Sequence, residues 1–342
     1  MLFEDKRGFE MSDLDKTVIL EEGSFTPDFG VCPICGVKLT PDMEDAELLR
    51  CPACRYVKKV KTVVAPGNIV ANKYRVLSHL NSGGCGSIFL CCPLADQSRR
   101  YVLKVLKQAS GTGRKRFRRE AQILASIENN DRIARIMDYW ESGNDTYIVM
   151  EFIVGKNLRE FLTDYVFDEL STLQIGCEAA RALQDIWEQY AIIHRDIKPE
   201  NIMLNDEWHL KLLDFGLSKQ CDDVVTSMIT MEQSTLGTPG YMSPEHFSDF
   251  KNTDFRSDIY SLGATLFTVL TGDKPSDGAT VAEYYSDTLA NSPPAEERFN
   301  GKCTPGCMRL IRKMMAADPE DRHSSYQELL DEIEELIRNI SD

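Results

Sequence analysis

Two short runs of polar residues constrain this chain more than any other feature. The first is His194-Arg195-Asp196-Ile197-Lys198-Pro199-Glu200-Asn201, and the second, Asp214-Phe215-Gly216, follows it closely. Transfer of a phosphoryl group needs one carboxylate near the attacking hydroxyl and further oxygen ligands for magnesium. The two runs contain groups suited to both tasks, at a spacing and in an order that chance rarely produces.

Both runs resemble signature motifs of the protein kinase family. The first resembles the catalytic loop of the serine/threonine branch, and the second resembles the magnesium-binding motif that follows it. The resemblance extends from about Tyr74 to the end of the chain. It implies a two-lobed α+β fold with a small antiparallel-sheet lobe, 74–151, and a mainly helical lobe, 152–342.

Segments that precede residue 194 resemble other motifs of the same family, and they occur in the order that the family has. Leu80-Asn81-Ser82-Gly83-Gly84-Cys85-Gly86-Ser87-Ile88 predicts two strands joined by a turn whose small residues let N–H groups approach phosphate, although such turns more often only close hairpins. Tyr101–Leu106 predicts a buried strand, in which Lys104 needs anionic partners. Glu120, on a stretch with helical periodicity, is the expected protein partner.

Downstream segments continue the match. Gly237-Thr238-Pro239-Gly240-Tyr241-Met242-Ser243-Pro244-Glu245 is similar to the segment that ends a kinase activation loop, with Ser243 in place of the usual alanine. The stretch from Ser257 to Gly263 resembles the start of the large central helix. Its Asp258 would hold the catalytic-loop backbone through N–H groups, and Arg322 would pair with Glu245.

The resemblance implies a catalytic role for five residues. Lys104 would hold the α- and β-phosphates of ATP while paired with Glu120. Asp196 would orient the substrate hydroxyl and accept its proton. Lys198 would contact the γ-phosphate with support from Thr238, and this pair favours serine/threonine over tyrosine substrates.

The same resemblance implies the metal and nucleotide contacts. Asn201 and Asp214 would bind Mg²⁺ or Mn²⁺. The expected nucleotide contacts are Asn81, Gly83, Gly86, Ile88, Val102, Lys104, Met150, Glu151, Ile153 and Leu204.

Three residues depart from the family pattern: Asn81 replaces a glycine, Cys85 replaces an aromatic residue and Val102 replaces an alanine. None of these departures removes a catalytic group, and the alternative is a pseudokinase scaffold that binds ATP and whose cysteine-rich module recruits partners.

A phosphorylated activation loop is the anion that Arg195 would accept. The candidate hydroxyls are those of Thr226, Ser227, Thr230, Ser234 and Thr235, of which Thr235 and Thr230 are preferred. Their modification would occur by autophosphorylation, within a transient homodimer. A set of unmodified loop hydroxyls is the competing interpretation.

Two Cys-x-x-Cys pairs lie ahead of the kinase-like region. Cys32 and Cys35 are separated from Cys51 and Cys54 by fifteen residues, a spacing typical of tetrahedral thiolate ligation. The segment 32–64 resembles a zinc ribbon; iron is the chemical competitor, and zinc is favoured. Its six basic and four acidic residues are too evenly balanced to indicate nucleic-acid binding, so a protein-docking role is expected, with 65–73 as a linker.

The first 31 residues contain eight acidic and three basic residues and predict a disordered tail. Thr17 lies among acids with Leu20 three positions later, which resembles ligands of forkhead-associated domains that read phosphothreonine; an unmodified tail or a short strand is the alternative.

The net charge of −15 argues against general affinity for nucleic acids. The start is charged and Leu262–Leu270 is too short to span a bilayer, so a cytoplasmic protein is expected.

Overall fold

The computed structural model describes residues 31–41, 48–59, 64–83, 86–107, 122–127, 130–142, 145–215, 239–248, 253–276, 278 and 281–341. These residues divide into two compact units. One contains 31–107 and 138–152, and the other contains 122–137 and 153–341. No helix among the described residues combines the length and apolar character needed to cross a membrane.

The cysteine-rich segment forms a small antiparallel sheet. Its strands are β1 (Thr40–Pro41), β2 (Leu48–Arg50) and β3 (Val57–Lys59), in the order β1-β2-β3. A cluster of buried residues, Cys32, Leu39 and Cys51, lies beside this sheet with Tyr56 packed against it. Because three buried side chains form a very small core, the segment needs a further source of stability.

The rest of the first unit, together with Ile136 and Met137, forms a six-stranded antiparallel sheet. Its strands are β4 (Ile69–Val70), β5 (Tyr74–Gly83), β6 (Gly86–Pro93), β7 (Tyr101–Lys107), β8 (Ile136–Ser142) and β9 (Asp145–Glu151), in the order β4-β5-β6-β7-β9-β8. Strand β4 lies within 65–73, the segment predicted as a linker. One face packs a core that includes Leu103 and Val149, neither of which is exposed, and Trp140 stacks on Tyr147. The strand pair around the glycine-rich turn and the strand that carries Lys104 confirm the sequence prediction.

Gly86 has a structural role that the sequence did not indicate. Its φ is +155°, and a Cβ at this position would lie 2.2 Å from the carbonyl oxygen of Val105 on β7. The two strands can therefore approach each other only because residue 86 has no side chain.

We expect Gly86→Ala to lower the free energy of unfolding by about 1–3 kcal/mol, through the backbone clash and the strained φ. Gly67→Ala is the matched control, since Gly67 also has a positive φ, of +91°, but nothing lies within 4 Å of the position that a Cβ would occupy there. Urea denaturation of both variants measures the difference. Equal losses would show that φ alone, and not the approach of Val105, requires glycine at 86.

The second unit is mainly helical. Its α-helices are α1 (Leu158–Asp164), α2 (Glu169–Tyr190), α3 (Pro244–Ser248), α4 (Arg256–Thr271), α5 (Val281–Asn291), α6 (Pro305–Met314) and α7 (Tyr326–Ser341). Three short strands, β10 (Gly155–Asn157), β11 (Ile202–Asn205) and β12 (Leu210–Leu212), form a second antiparallel sheet in that order. Helix α4 is buried from Ser257 to Thr271, in agreement with the resemblance of Ser257–Gly263 to the start of a large central helix. Helix α2 packs against both α4 and α7.

The last helix, α7, is amphipathic. Tyr326, Leu329, Leu330 and Ile333 of α7 are buried, while Ile340 is 36% exposed. The apolar side chains recur every three or four residues, so one face of the helix covers α2 and the other meets solvent. This packing places α7 within the second unit.

Candidate active site and four-cysteine cluster

The carboxylate of Asp196 lies in a hydrogen-bonded cluster with Lys198 and Asn201. Lys198 Nζ donates to Asp196 Oδ2 at 2.8 Å, and Asn201 Nδ2 donates to the same oxygen at 2.9 Å. Asn201 Nδ2 also donates to the backbone oxygen of Asp196 at 2.7 Å. A 3-10 turn over Pro199–Asn201 brings residue 201 back to 196. Since Asn201 uses its nitrogen in these bonds, its side-chain oxygen is the atom suited to a hard cation such as magnesium.

Backbone hydrogen bonds at Leu213 link this cluster to Asp214. The N–H of Leu213 donates to the backbone oxygen of Asn201 at 2.8 Å. Its carbonyl oxygen accepts from His194 Nε2 at 2.7 Å, and His194 Nδ1 accepts the N–H of Asp196 at 3.3 Å. His194 is fully buried, and these two contacts assign the donated proton to Nε2 and the acceptor role to Nδ1. The two expected metal ligands, at 201 and 214, are therefore held in one bonded network.

Asp258, in the first turn of α4, holds the backbone of the catalytic loop. Its Oδ2 accepts the N–H of His194 at 2.6 Å, and its Oδ1 accepts the N–H of Arg195 at 2.8 Å. Burial of the carboxyl raises the pKa of Asp258 to about 6, although both N–H groups and the charge of Arg195 oppose that rise. Arg195 has a left-handed backbone, with φ of +62°, which costs energy for a residue other than glycine. The two bonds to Asp258 stabilise this conformation, as the resemblance implied.

Five of the predicted nucleotide contacts in the first unit share one face of its sheet. In the antiparallel pairing of the strands, Asn81 on β5 lies opposite Ile88 on β6, Ile88 lies opposite Lys104 on β7, and Val102 on β7 lies opposite Met150 on β9. Residues directly opposite one another in an antiparallel pair, and residues two apart on a strand, point to the same side. These five side chains therefore lie on one side of the sheet, whereas Leu103 lies on the core side.

Other predicted contacts are placed individually. Glu151 ends β9, and Gly83 and Gly86 face each other across the turn between β5 and β6. Ile153 and Leu204 belong to the second unit, where Leu204 is buried in the middle strand of the β10-β11-β12 sheet. Glu120, Thr238, Thr17 and all five activation-loop hydroxyls, Thr226, Ser227, Thr230, Ser234 and Thr235, lie outside the described residues.

Comparison with known proteins assigns the family. A family model described as "Protein kinase domain" matches residues 74–333. The chain belongs to the protein kinase family. Serine/threonine-protein kinase pkn2 of Myxococcus xanthus is 32% identical to it over 278 residues, which cover 79% of this chain and 33% of that protein. Serine/threonine-protein kinase PrkC of Bacillus subtilis is 30% identical over 267 residues, which cover 77% of this chain and 40% of that protein.

The fold agrees with that of a solved kinase structure. The crystal structure of Rad53 1-466 in complex with AMP-PNP matches with a TM-score of 0.62 and 22% identity, over 76% of this chain and 64% of that one. This similarity supports the fold alone. The chain spans only about a third to two fifths of the length of the two curated kinases.

The kinase domain also contains the ion pair predicted between Glu245 and Arg322. Arg322 binds both carboxylate oxygens, with its two terminal nitrogens at 2.6 and 2.9 Å. The arginine side chain is completely buried, and Ser257 Oγ donates a further hydrogen bond to Glu245 at 2.9 Å. This two-pronged geometry ties the start of α3 to the segment that precedes α7.

The roles of His194 and Leu213 were missed by the sequence analysis. A histidine directly before Arg195-Asp196 is a visible signal, but nothing in the residue order shows that its ring reaches the backbone of residue 213. Leu213 acts only through its N–H and carbonyl, which every residue but proline has. Only the three-dimensional arrangement could identify it.

Four cysteine sulfurs lie together in the ribbon segment. The Sγ atoms of Cys32, Cys35, Cys51 and Cys54 are all within 4.8 Å of one another. Two pairs are closer: Cys32 and Cys54 at 3.5 Å, and Cys35 and Cys51 at 3.4 Å. Tetrahedral zinc with Zn–S bonds of about 2.3 Å requires S–S separations of about 3.8 Å, so the cluster fits this ion.

The two cysteine pairs have matching backbone turns. Cys32 N–H donates to Val37 O at 2.8 Å, and Cys51 N–H donates to Tyr56 O at the same distance. Sulfur atoms also accept N–H groups: Ile34 donates to Cys32 at 3.4 Å and Cys54 donates to Cys51 at 3.5 Å. The N–H of Cys54 is the main cause that lowers the pKa of Cys51 to about 6, which favours the thiolate that a metal binds.

The two turns differ at one left-handed position. Gly36 occupies it in the first turn, with φ of +72°, and Arg55 occupies the equivalent position in the second, with φ of +62°. Glycine adopts this conformation without the steric cost that a Cβ imposes.

We expect Arg55→Gly to relieve about 1 kcal/mol of backbone strain in the folded ribbon. Because ribbon folding and zinc binding are coupled, this should appear as an affinity for zinc raised by roughly fivefold. Competition with a chromogenic chelator measures it. Arg55→Ala removes the side chain but keeps the Cβ, and is the control that should not show the gain; a lower affinity in Arg55→Gly would contradict the prediction.

Proposed function

We propose that this chain is a serine/threonine protein kinase that transfers the γ-phosphate of ATP to protein hydroxyls. The observation that carries the proposal is the partly buried network in which Asp196 bonds to Lys198 and Asn201, while Leu213 ties Asn201 to the segment of Asp214. Phosphoryl transfer depends mainly on positioning and on electrostatic stabilisation, and this network supplies fixed groups for both.

Each group has a proposed task in the reaction. Asp196 orients the substrate hydroxyl and accepts its proton, and Lys198 places a positive charge beside the transferred phosphoryl group. Asn201 and Asp214 hold magnesium, which neutralises negative charge on the phosphates when it is bound. Lys104, on the sheet face shared with Val102 and Ile88, binds the α- and β-phosphates.

The preference for serine and threonine rests on two supports. Lys198 stands two residues after Asp196, as in the serine/threonine branch that the loop resembles. The two curated relatives described above carry that specificity in their names.

The proposal is tested by incubating the protein with labelled ATP, magnesium and a general protein substrate such as casein. Modified residues are then identified by mass spectrometry. Label on serine and threonine that disappears when the metal is chelated supports the proposal. Label on tyrosine contradicts the specificity, and absence of label with ATP still bound favours the pseudokinase scaffold.

We propose that residues 32–64 bind zinc and dock a protein partner or substrate. Val31, Ile34 and Val37 are 65%, 69% and 38% exposed, so an apolar surface lies beside the first cysteine turn. Exposed apolar side chains in a group are typical of interaction sites. Deletion of 1–64 tests this role: reduced phosphorylation of a cognate substrate with unchanged activity on casein supports docking, and loss of both activities makes the segment part of the catalytic fold.

Proposed phosphorylation in two segments, the activation loop and the N-terminal tail, completes the proposal. Autophosphorylation of the activation loop, with Thr235 and Thr230 as the preferred sites and a transient homodimer as the reacting species, would supply an anion for Arg195. Phosphorylated Thr17 would bind a forkhead-associated domain. Mass spectrometry after incubation with ATP identifies these sites directly, and a dilution series shows whether the reaction depends on protein concentration.

A further inference from the structure

The four ribbon cysteines divide into two exposed and two buried residues. Cys35 and Cys54 are exposed, whereas Cys32 and Cys51 are only 2% and 1% exposed. The closest sulfur contacts join an exposed residue of one turn to a buried residue of the other. Each contact therefore combines a sulfur that an oxidant in solution can reach with a sheltered sulfur that can react next.

We propose that the ribbon is an oxidation site for peroxides, and that its oxidised form contains disulfides between the turns, Cys32–Cys54 and Cys35–Cys51. The pairs within each Cys-x-x-Cys turn are not the expected product. The proposal rests on the four-cysteine cluster described above as a zinc site, and it adds a second chemical state of that cluster.

The reaction proceeds in two balanced steps at each pair. The exposed sulfur of Cys54 attacks the O–O bond of hydrogen peroxide, which forms a sulfenic acid and releases hydroxide. The thiolate of Cys32 then attacks that sulfur, forms the S–S bond and displaces a second hydroxide. Two electrons pass from the sulfurs to one peroxide, and two protons convert the hydroxides to water. Cys35 and Cys51 react in the same way with a second peroxide.

The predicted connectivity determines what oxidation does to the ribbon. A disulfide within one turn would leave the two turns without a link once zinc departs. Disulfides between the turns replace the metal as a cross-link, so the ribbon loses zinc while its two halves stay joined. The small core of Cys32, Leu39 and Cys51 would then keep its neighbours.

Digestion with trypsin distinguishes disulfides between the turns from disulfides within one turn. Cleavage after Lys16, Lys38, Arg50 and Arg55 places Cys32 and Cys35 in one peptide, 17–38, and Cys51 and Cys54 in another, 51–55. Disulfides between the turns join the two peptides, whereas disulfides within the turns leave them separate and each two hydrogens lighter. The full-length protein is treated with hydrogen peroxide, alkylated and digested without reductant.

Zinc content is measured before and after oxidation with a chromogenic chelator. The expected result is loss of the bound zinc together with the joined peptide pair. Cys177 is the internal control: because it is buried on α2, it should stay reduced during oxidation and be recovered in its alkylated form. Separate peptides with internal disulfides, or sulfinic and sulfonic acids alone, would overturn the proposal. If the purified protein contains no zinc but still yields joined peptides, the proposed disulfides are supported and the proposed zinc site is rejected.

Single variants separate the two pairs. Cys35→Ser should still form the Cys32–Cys54 bond and leave Cys51 alkylated. Cys54→Ser should still form the Cys35–Cys51 bond and leave Cys32 alkylated. Alkylation of Cys54 in the first variant, or of Cys35 in the second, would contradict the proposed pairs. Either variant could lose the ribbon fold along with its zinc. In that case the peptide map of the wild-type protein, which requires no substitution, still shows whether the disulfides form between the turns or within them.

Discussion

Replacing Asp196 with asparagine is expected to lower the rate of phosphoryl transfer by about 10²–10⁴-fold. The asparagine amide has nearly the shape of the carboxylate, and its oxygen can still accept from Lys198 and Asn201, which now bond to Asp196 Oδ2. The amide cannot accept a proton from the substrate hydroxyl. Proton acceptance is therefore removed while the surrounding network is kept.

The measurement is transfer of label from ATP at saturating substrate, together with the dissociation constant of a non-hydrolysable ATP analogue. We expect the rate to fall and the dissociation constant to stay the same. Asp206→Asn is the control, because Asp206 is an exposed aspartate in the turn between β11 and β12. Equal activity of Asp196→Asn and the wild type would remove Asp196 from the proton transfer; a weaker affinity for the analogue would show that the substitution disturbed nucleotide binding.

The sequence predicted the parts of this site that depend on local patterns. An apolar strand interrupted by one lysine indicated β7 and Lys104, and the resemblance of Ser257–Gly263 to the start of a central helix indicated α4. Asp258 and Arg322 were placed through resemblance, and their partners are those observed. These features are encoded by side chains at fixed spacings, which sequence analysis can detect.

Other parts depend on how distant backbone segments approach, and residue types do not encode them. Leu213 links Asn201 and His194 through its backbone N–H and carbonyl groups. Another apolar residue at this position could make the same two hydrogen bonds, so the identity of residue 213 does not reveal the link. Gly86 was read as a residue for phosphate approach, and the structure adds the nearby Val105 carbonyl. The left-handed backbone of Arg55 could be recognised only by comparing the two cysteine turns in three dimensions.

Replacing Arg322 with alanine is expected to lower the free energy of unfolding by about 3–5 kcal/mol, because it leaves the carboxylate of Glu245, whose side chain is only 20% exposed, without its counter-charge. The guanidinium also donates to the backbone oxygens of Ala316, Ala317 and Arg256, and it lies 4.9 Å from the ring of Tyr260. Urea denaturation at neutral pH measures the loss. Arg322→Lys should recover only part of it, since an ammonium group cannot bind both oxygens in the same plane.

The pH dependence of stability identifies the charge on Glu245 as the source of this effect. Burial opposes ionisation of Glu245, but the hydrogen bonds and the charge of Arg322 outweigh it and lower the pKa from 4.5 to about 2. A depressed pKa means that the stabilisation is complete above the unfolded value of 4.5 and is lost as the pH falls towards 2. The wild type should therefore lose about 3 kcal/mol across this window from this group, by 1.36 kcal/mol per pKa unit.

In Arg322→Ala the charged form of Glu245 has lost its main support, so burial alone should raise its pKa. The stability difference between wild type and variant should consequently shrink as the pH falls from 4.5 towards 2. Arg338→Ala, at an exposed position on α7, is the control whose curve should run parallel to that of the wild type. A constant difference between Arg322→Ala and the wild type across the same window would mean that the arginine stabilises the domain through its carbonyl and Tyr260 contacts, with little contribution from the ion pair.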